Sequence, residues 1–281
     1  MVKDSGAGCF VSCAIEFTLK KVKVSINVKV EEKKSYLCTL MERKFKAALF
    51  DLDGTLIDTE DQYTVIWGRI ARKYRPDVPN LEYIIKGTTL TNILATYFSP
   101  ETHEAVIREL DAFEAQMDYS FFPFVEEFLA DIRSHGVKCA IATSSNKQKM
   151  LYATRNNPLI GSMFDKILTA EDFSASKPNP DCYLKAAEAL QMPLDNCIVF
   201  EDAYTGLQAG MASGIYTVGL ATGHTIEEIT PLCHKALKSF EGVGYETLNY
   251  QLFNHHIAFF SSCAECVGAG DGRYCGIAES A

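Results

Sequence analysis

FKAALFDLDGTLIDTE, residues 45–60, decides how this chain is built. Ala47 to Phe50 form an apolar run of strand length, and Asp51, Asp53, Gly54 and Thr55 follow at once. The carboxyl end of a parallel strand faces the crevice in which open α/β sheets bind ligands. Two carboxylates two residues apart would point to opposite faces of a strand that simply continued. Gly54 lets the chain turn sharply there, so both can face one crevice. Asp51 can then act as a nucleophile, with Asp53 beside the leaving-group oxygen as acid and base.

Outward from this stretch, strand-like runs recur at VKCAIAT (137–143), KIL (166–168), CIVF (197–200) and IYTVGL (215–220). Helical patterns such as PDCYLKAAEAL (180–190) and TGLQAGMASG (205–214) lie between them. This alternation predicts βαβ crossovers and a Rossmann-like parallel sheet, an α/β fold. Residues 58–122 break the rhythm with helical patterns and no convincing strand, which predicts a helical cap inserted just after the first strand. Inside it, Ser99, Pro100 and Glu101 read as an N-cap, a proline at the first helical position and an acidic first turn.

Three further segments carry chemistry. VKCAIATSSNK (137–147) ends a strand at Thr143, whose hydroxyl can donate to a phosphoryl oxygen, and Ser144, Ser145 and Asn146 open a helix whose N-terminus favours an anion. SASKPNPDCY (174–183) sets Lys177 before a proline-fixed turn, so that its ammonium can point back to the crevice. CIVFEDAYTGLQAG (197–210) ends a strand in Glu201 and Asp202. Together with Asp51 these supply hard oxygen ligands for Mg²⁺.

Jointly, in order and spacing, these segments resemble the four motifs of the haloacid dehalogenase (HAD) superfamily over roughly residues 44 to 240. The cap after the first motif is similar to the C1-capped branch of β-phosphoglucomutase-like and phosphoglycolate-phosphatase-like proteins. The resemblance implies a Mg²⁺-dependent enzyme in which Asp51 attacks phosphorus and forms an aspartyl-phosphate. Asp53 would protonate the leaving group and then activate water, while Thr143, Ser144 and Lys177 hold the phosphoryl group. The implied metal set is Asp51, the Asp53 carbonyl, Asp202 and Glu201, the last as a ligand or a support. By the same resemblance the cap loop Lys86, Gly87, Thr88 and Thr89 meets the leaving group. Superfamily dehalogenases lack the second aspartate, so Asp53 argues against that chemistry. β-Phosphoglucomutases carry a histidine where this chain has Tyr63 and a cap-loop arginine where it has Leu90. The expected function is therefore a phosphatase acting on a sugar or polyol phosphate. A phosphomutase and a non-enzymatic phosphometabolite-binding module are the alternatives.

Composition narrows the partners. With 36 acidic against 27 basic residues, the formal charge of -9 disfavours nucleic acid and anionic membrane surfaces. No run approaches the roughly 20 apolar residues of a spanning helix. GAGCFVSCAI (6–15) is followed by Glu16 and makes a poor secretory segment. The ten cysteines include Cys139, Cys182, Cys197 and Cys233 within apolar runs, as expected of reduced thiols in a cytoplasmic protein. Nothing in the sequence indicates an oligomeric state.

The expected domain plan is an N-terminal extension over 1–43, a core of 44–57 and 123–245, the cap over 58–122, and a poorly ordered tail over 246–281. In the extension, KVKVSINVKV (21–30) alternates like a half-buried strand, which leaves open an upstream translated segment or a genuine extra hairpin. The tail carries His255, His256, Cys263, Cys266 and Cys275, but no second Cys-x-x-Cys pair at zinc-site spacing.

Overall fold

The computed structural model describes residues 12–19, 22–29, 44–86 and 88–252. β1 (Ser12–Leu19) and β2 (Val22–Lys29) form an antiparallel pair, running from Ser12 opposite Lys29 to Leu19 opposite Val22. Val22, Val24 and Val28 of the leader fall on β2. The histidines and cysteines of the tail lie outside the described residues.

Residues 45–252 form the second unit. β3 (Ala47–Phe50) leads into four helices, α1 (Glu60–Tyr74), α2 (Leu81–Ile84), α3 (Leu90–Tyr97) and α4 (Pro100–Glu114). Then come α5 (Val125–Ser134), β4 (Lys138–Ala142), α6 (Lys147–Asn156), α7 (Pro158–Ser162) and β5 (Lys166–Leu168). α8 (Asp181–Ala189), β6 (Cys197–Glu201), α9 (Tyr204–Ala212), β7 (Tyr216–Leu220), α10 (Ile226–Ile229), β8 (Lys235–Leu237) and α11 (245–252) complete the unit. The strands lie in the order β5-β4-β3-β6-β7-β8, all parallel. The chain therefore winds one way from β3 and then returns beside it to wind the other. That reversal opens the crevice at the carboxyl ends of β3, β4 and β6.

β3 is buried on both faces, which is why its sequence is continuously apolar rather than alternating. Ala48 and Phe50 join a core with Phe128, Ile132, Ile198 and Phe200. Phe50 stacks on Phe200 with ring centroids 4.8 Å apart. Ala47 and Leu49 face the other way, against Tyr183, Ala186 and Val199. The cap has its own core of Ile66, Trp67, Ile70, Leu81, Ile93, Leu94 and Leu110, among others. α4 begins at Pro100 as expected, but the Ser99 side chain accepts no cap hydrogen bond. The fixed φ of proline and the carboxylate of Glu101 at the positive end of the helix set the start instead.

Two expected boundaries move. The core does not stop at 245: Tyr245, Leu248 and Leu252 of α11 are buried in the main core, and Asn249 Oδ1 accepts the Phe45 N–H at 3.0 Å. Apolar residues at helical spacing claim these seven residues from the tail. The core also resumes before 123, because Met117 and Tyr119 pack into it and Phe121 bridges to Ile57. Replacing Leu248 by Ala should cost about 3 kcal/mol of unfolding free energy in urea titration. A chain in which Leu248 belonged to an unpacked tail would show no change.

Candidate active site

Three adjacent strand ends meet in the crevice. Asp51 follows β3, with its N–H bonded to the Phe200 carbonyl of β6 at 3.0 Å. Thr143 follows β4, and Glu201 closes β6 with Asp202 next to it. Gly54 adopts φ +79°, and its N–H reaches back to the Ile57 carbonyl at 3.0 Å. A Cβ at Gly54 would strike Asp202, and one at Gly206 would strike Glu201. Glycine is thus required on both sides of the acidic pair.

Lys177 reaches into this cluster from the loop before α8. Its Nζ lies 2.5 Å from Asp51 Oδ1 and 2.7 Å from Glu201 Oε1, with all three side chains buried. Glu201 Oε2 accepts the Ala203 N–H at 2.7 Å, and Asp202 Oδ1 accepts the Thr55 hydroxyl at 2.7 Å. Burial pushes the Asp51 carboxyl up to about 7; Lys177 opposes the rise and Glu201 adds to it. Burial, with the charges of Glu201 and Asp51, pushes Asp202 well above the carboxylate range. Burial alone would lower Lys177, yet Asp51 and Glu201 hold it well above its ordinary value.

Asp53 has a separate set of partners. Lys149 of α6 donates to both of its oxygens at 2.5 Å, Thr59 donates to Oδ1 at 2.6 Å, and Ser145 donates to Oδ2 at 2.8 Å. Burial raises this carboxyl, but the charge and hydrogen bonds of Lys149, with Thr59 and Ser145, outweigh it and hold Asp53 below its ordinary range. Lys149, Thr59 and this role of Ser145 escape the sequence reading. The available signal was the inward stripe Lys149, Met150 and Ala153 of α6, all buried. Ser144 lines the cavity without touching Asp53. Thr143 Oγ1 accepts the Ser145 N–H at 3.0 Å, which leaves its proton for another acceptor.

Above these groups lies a cavity of about 510 Å³, closed on the cap side by Tyr63, Trp67, Lys86, Thr88, Thr89, Leu90 and Glu114, among others. Of the expected cap loop, Lys86, Thr88 and Thr89 do reach the wall, and Gly87 lies outside the described residues. Lys86 is paired with Glu60 at 2.6 Å. Thr89 caps α3, its hydroxyl oxygen accepting the Asn92 N–H at 3.4 Å. Tyr63 lays its ring 4.4 Å from Lys149 Nζ and donates its hydroxyl to Glu114 at 2.7 Å.

The donor set suits a small divalent cation. Asp51 and Glu201 share the ammonium of Lys177, Asp202 lies beside them, and all three carboxyl groups are buried. Among the described residues no three His, Cys, Asp or Glu side chains form a closed metal cage. A Mg²⁺ ion at this place would take one or two of these carboxylates and complete its shell with water and phosphate.

Comparison with known proteins places this geometry. The family profile described as haloacid dehalogenase-like hydrolase matches residues 48–220. Validoxylamine A 7'-phosphate phosphatase of Streptomyces hygroscopicus subsp. limoneus is 31% identical over 196 residues, covering 66% of this chain and 90% of that protein. β-Phosphoglucomutase of Bacillus subtilis is 28% identical over 196 residues, covering 63% and 84%. The solved structure of a HAD hydrolase, family IA, variant 3, from Entamoeba histolytica aligns with TM-score 0.65 at 25% identity, covering 74% of this chain and 99% of that one. No helix among the described residues is long and apolar enough to cross a membrane. The chain belongs to the haloacid dehalogenase-like hydrolases, in the branch that includes the β-phosphoglucomutases.

Proposed function

We propose that this enzyme, a phosphoric monoester hydrolase by family, is a Mg²⁺-dependent phosphatase that removes phosphate from a small sugar or polyol phosphate through an aspartyl-phosphate on Asp51. The observation that carries the reading is the placement of Asp51 and Asp53 in one crevice with opposite environments. Asp51 is pressed between Lys177 and other carboxylates, and Asp53 is held by Lys149, Thr59 and Ser145. Each carboxyl group thus has its own lysine and its own set of donors, and groups held so differently can take two different roles.

An Asp51 oxygen attacks phosphorus as the bond to the leaving oxygen breaks, and Asp53, held as a carboxylate by Lys149 in the free enzyme, first takes a proton from solvent when substrate binds and then passes it to that oxygen. Asp53, now a carboxylate, takes a proton from water as the water attacks the phosphorus of the aspartyl-phosphate. This frees Asp51 and inorganic phosphate. Lys177 and the Thr143 hydroxyl restrain the phosphoryl oxygens. Mg²⁺, when bound, neutralises charge on the phosphoryl group and on the nucleophile. Asp51, Asp202 and the Asp53 carbonyl would hold it. Glu201, whose oxygens are both taken by protein donors, supports Lys177 from behind.

Phosphatase is favoured over mutase by the cap. A mutase must grip a distal phosphate while its bisphosphorylated intermediate turns round. Here the mutase's histidine and arginine are replaced by Tyr63 and Leu90, and Lys86 is already paired with Glu60. The named phosphatase among the relatives supports the same reading.

A phosphate-release screen over small phosphorylated metabolites tests it, with EDTA expected to abolish turnover and Mg²⁺ to restore it. Asp51→Asn should fall below about one ten-thousandth of wild type, beyond the roughly 10²–10⁴-fold loss typical of a general acid or base. Lys149→Met should lower kcat for alkyl phosphates roughly 10- to 100-fold, because Asp53 loses the group that aims it. It should also cost about 3 kcal/mol in urea unfolding, since a buried carboxylate is left unpaired. Unchanged kcat and stability in that variant would reject the role given to the pair. β-Glucose 1-phosphate should yield free phosphate and no glucose 6-phosphate. Efficient isomerisation in the presence of a bisphosphate activator would instead identify a mutase.

A further inference from the structure

Glu114 is the last residue of α4, and it is only 6% exposed although no part of the mechanism uses it. A glutamate is rarely buried without a partner. Its Oε1 accepts the Tyr63 hydroxyl at 2.7 Å; no described donor meets Oε2, and the residue lines the catalytic cavity. We propose that Glu114 is the specificity-determining residue of the cap: it accepts a hydroxyl of an uncharged polyol leaving group and turns away leaving groups that carry a second anion. The inference rests on the phosphatase reading and deepens it.

Three features fix this role. Tyr63 holds Glu114 rigidly to the reacting end, since the same ring lies 4.4 Å from Lys149 Nζ, and Lys149 in turn holds Asp53. The cavity wall also carries Trp67, Ile93 and Leu110, apolar side chains of the cap core that screen a charge poorly. The lysines on the cavity wall are already committed: Lys86 to Glu60, Lys149 to Asp53, and Lys177 to Asp51 and Glu201. His224, also on the wall, stacks on Tyr204 with ring centroids 4.0 Å apart. Burial raises the Glu114 carboxyl, and the charge of Lys149 and the Tyr63 hydroxyl oppose the rise; in its ionised form it would meet a second phosphate or a carboxylate of the substrate while the lysines of the wall are paired with other acids. A hydroxyl at the same point gains a charge-assisted hydrogen bond.

The test compares sorbitol 6-phosphate with 6-phosphogluconate, which differ at one end as a hydroxymethyl group and a carboxylate. Wild type should favour sorbitol 6-phosphate in kcat/KM by at least about 50-fold, and Glu114→Gln should narrow that ratio at least about fivefold. Glutamine keeps the length and the Oε1 acceptor for Tyr63, removes the charge, and puts an NH₂ donor where Oε2 was. Because each ratio is taken on one preparation, it does not depend on how much of the variant is folded. Equal use of the two compounds by wild type, an unchanged ratio in the variant, or no turnover of sorbitol 6-phosphate while other esters are hydrolysed would each overturn the proposal and leave the phosphatase reading standing. Failure of wild type to hydrolyse any ester of the metabolite panel would overturn both.

Discussion

Three carboxylates pressed together at the ends of β3 and β6 are the constraint on which this site depends. Asp51, Glu201 and Asp202 are buried and repel one another, and Lys177 is the ammonium that touches two of them. Breaking a buried pair leaves an uncompensated charge, so Lys177 cannot be exchanged for an apolar residue without heavy loss. The surrounding glycines follow from the same crowding. A side chain at Gly54 or Gly206 would occupy the space that the acids need. The sequence Asp51-Leu52-Asp53-Gly54 and the pair Glu201-Asp202 are a packing solution for charge as much as a set of candidate reagents.

Much of this was legible because the core strands carry their own signal. A strand buried on both faces must be apolar throughout, and the abrupt change to acids at Asp51 and Glu201 marks where it meets solvent or substrate. β8 gave no such signal, since Lys235–Leu237 is three residues long and only partly buried at the sheet edge. α11 was hidden by composition: residues beyond it are rich in glycine and cysteine, and its own buried Leu248 and Leu252 were counted with them. Partnerships between distant side chains were the other gap. Asp53 meets Lys149 across 96 positions of sequence, and no local pattern at Asp53 requires a lysine there.

Lys149 shows what a buried cation does that hydroxyl donors alone would not. Thr59 and Ser145 orient the two oxygens of Asp53 and lower its carboxyl, and the charge of Lys149 lowers it further. With Lys149 in place, the carboxylate form is favoured despite burial. That is the form required when Asp53 takes a proton from water. Asp51, two residues earlier, is displaced in the opposite direction by the same burial, because its ammonium is shared with Glu201. Near-identical side chains thus differ through the number of carboxylates that each lysine must serve.

Tyr63 then changes meaning. Read from sequence, it marks the absence of the histidine by which a mutase helps to hold a sugar phosphate. In the folded chain it has two contacts that a histidine could not make together at the same reach. Its ring face supports Lys149 of the core, and its hydroxyl fixes Glu114 of the cap. Burial and the nearby charges of Asp53 and Glu114 keep that hydroxyl protonated, so it remains a donor throughout the neutral range. One ring thus joins the lysine that pairs with Asp53 to a carboxylate on the cap side of the cavity, so a change at Tyr63 acts on both sides of the site at once.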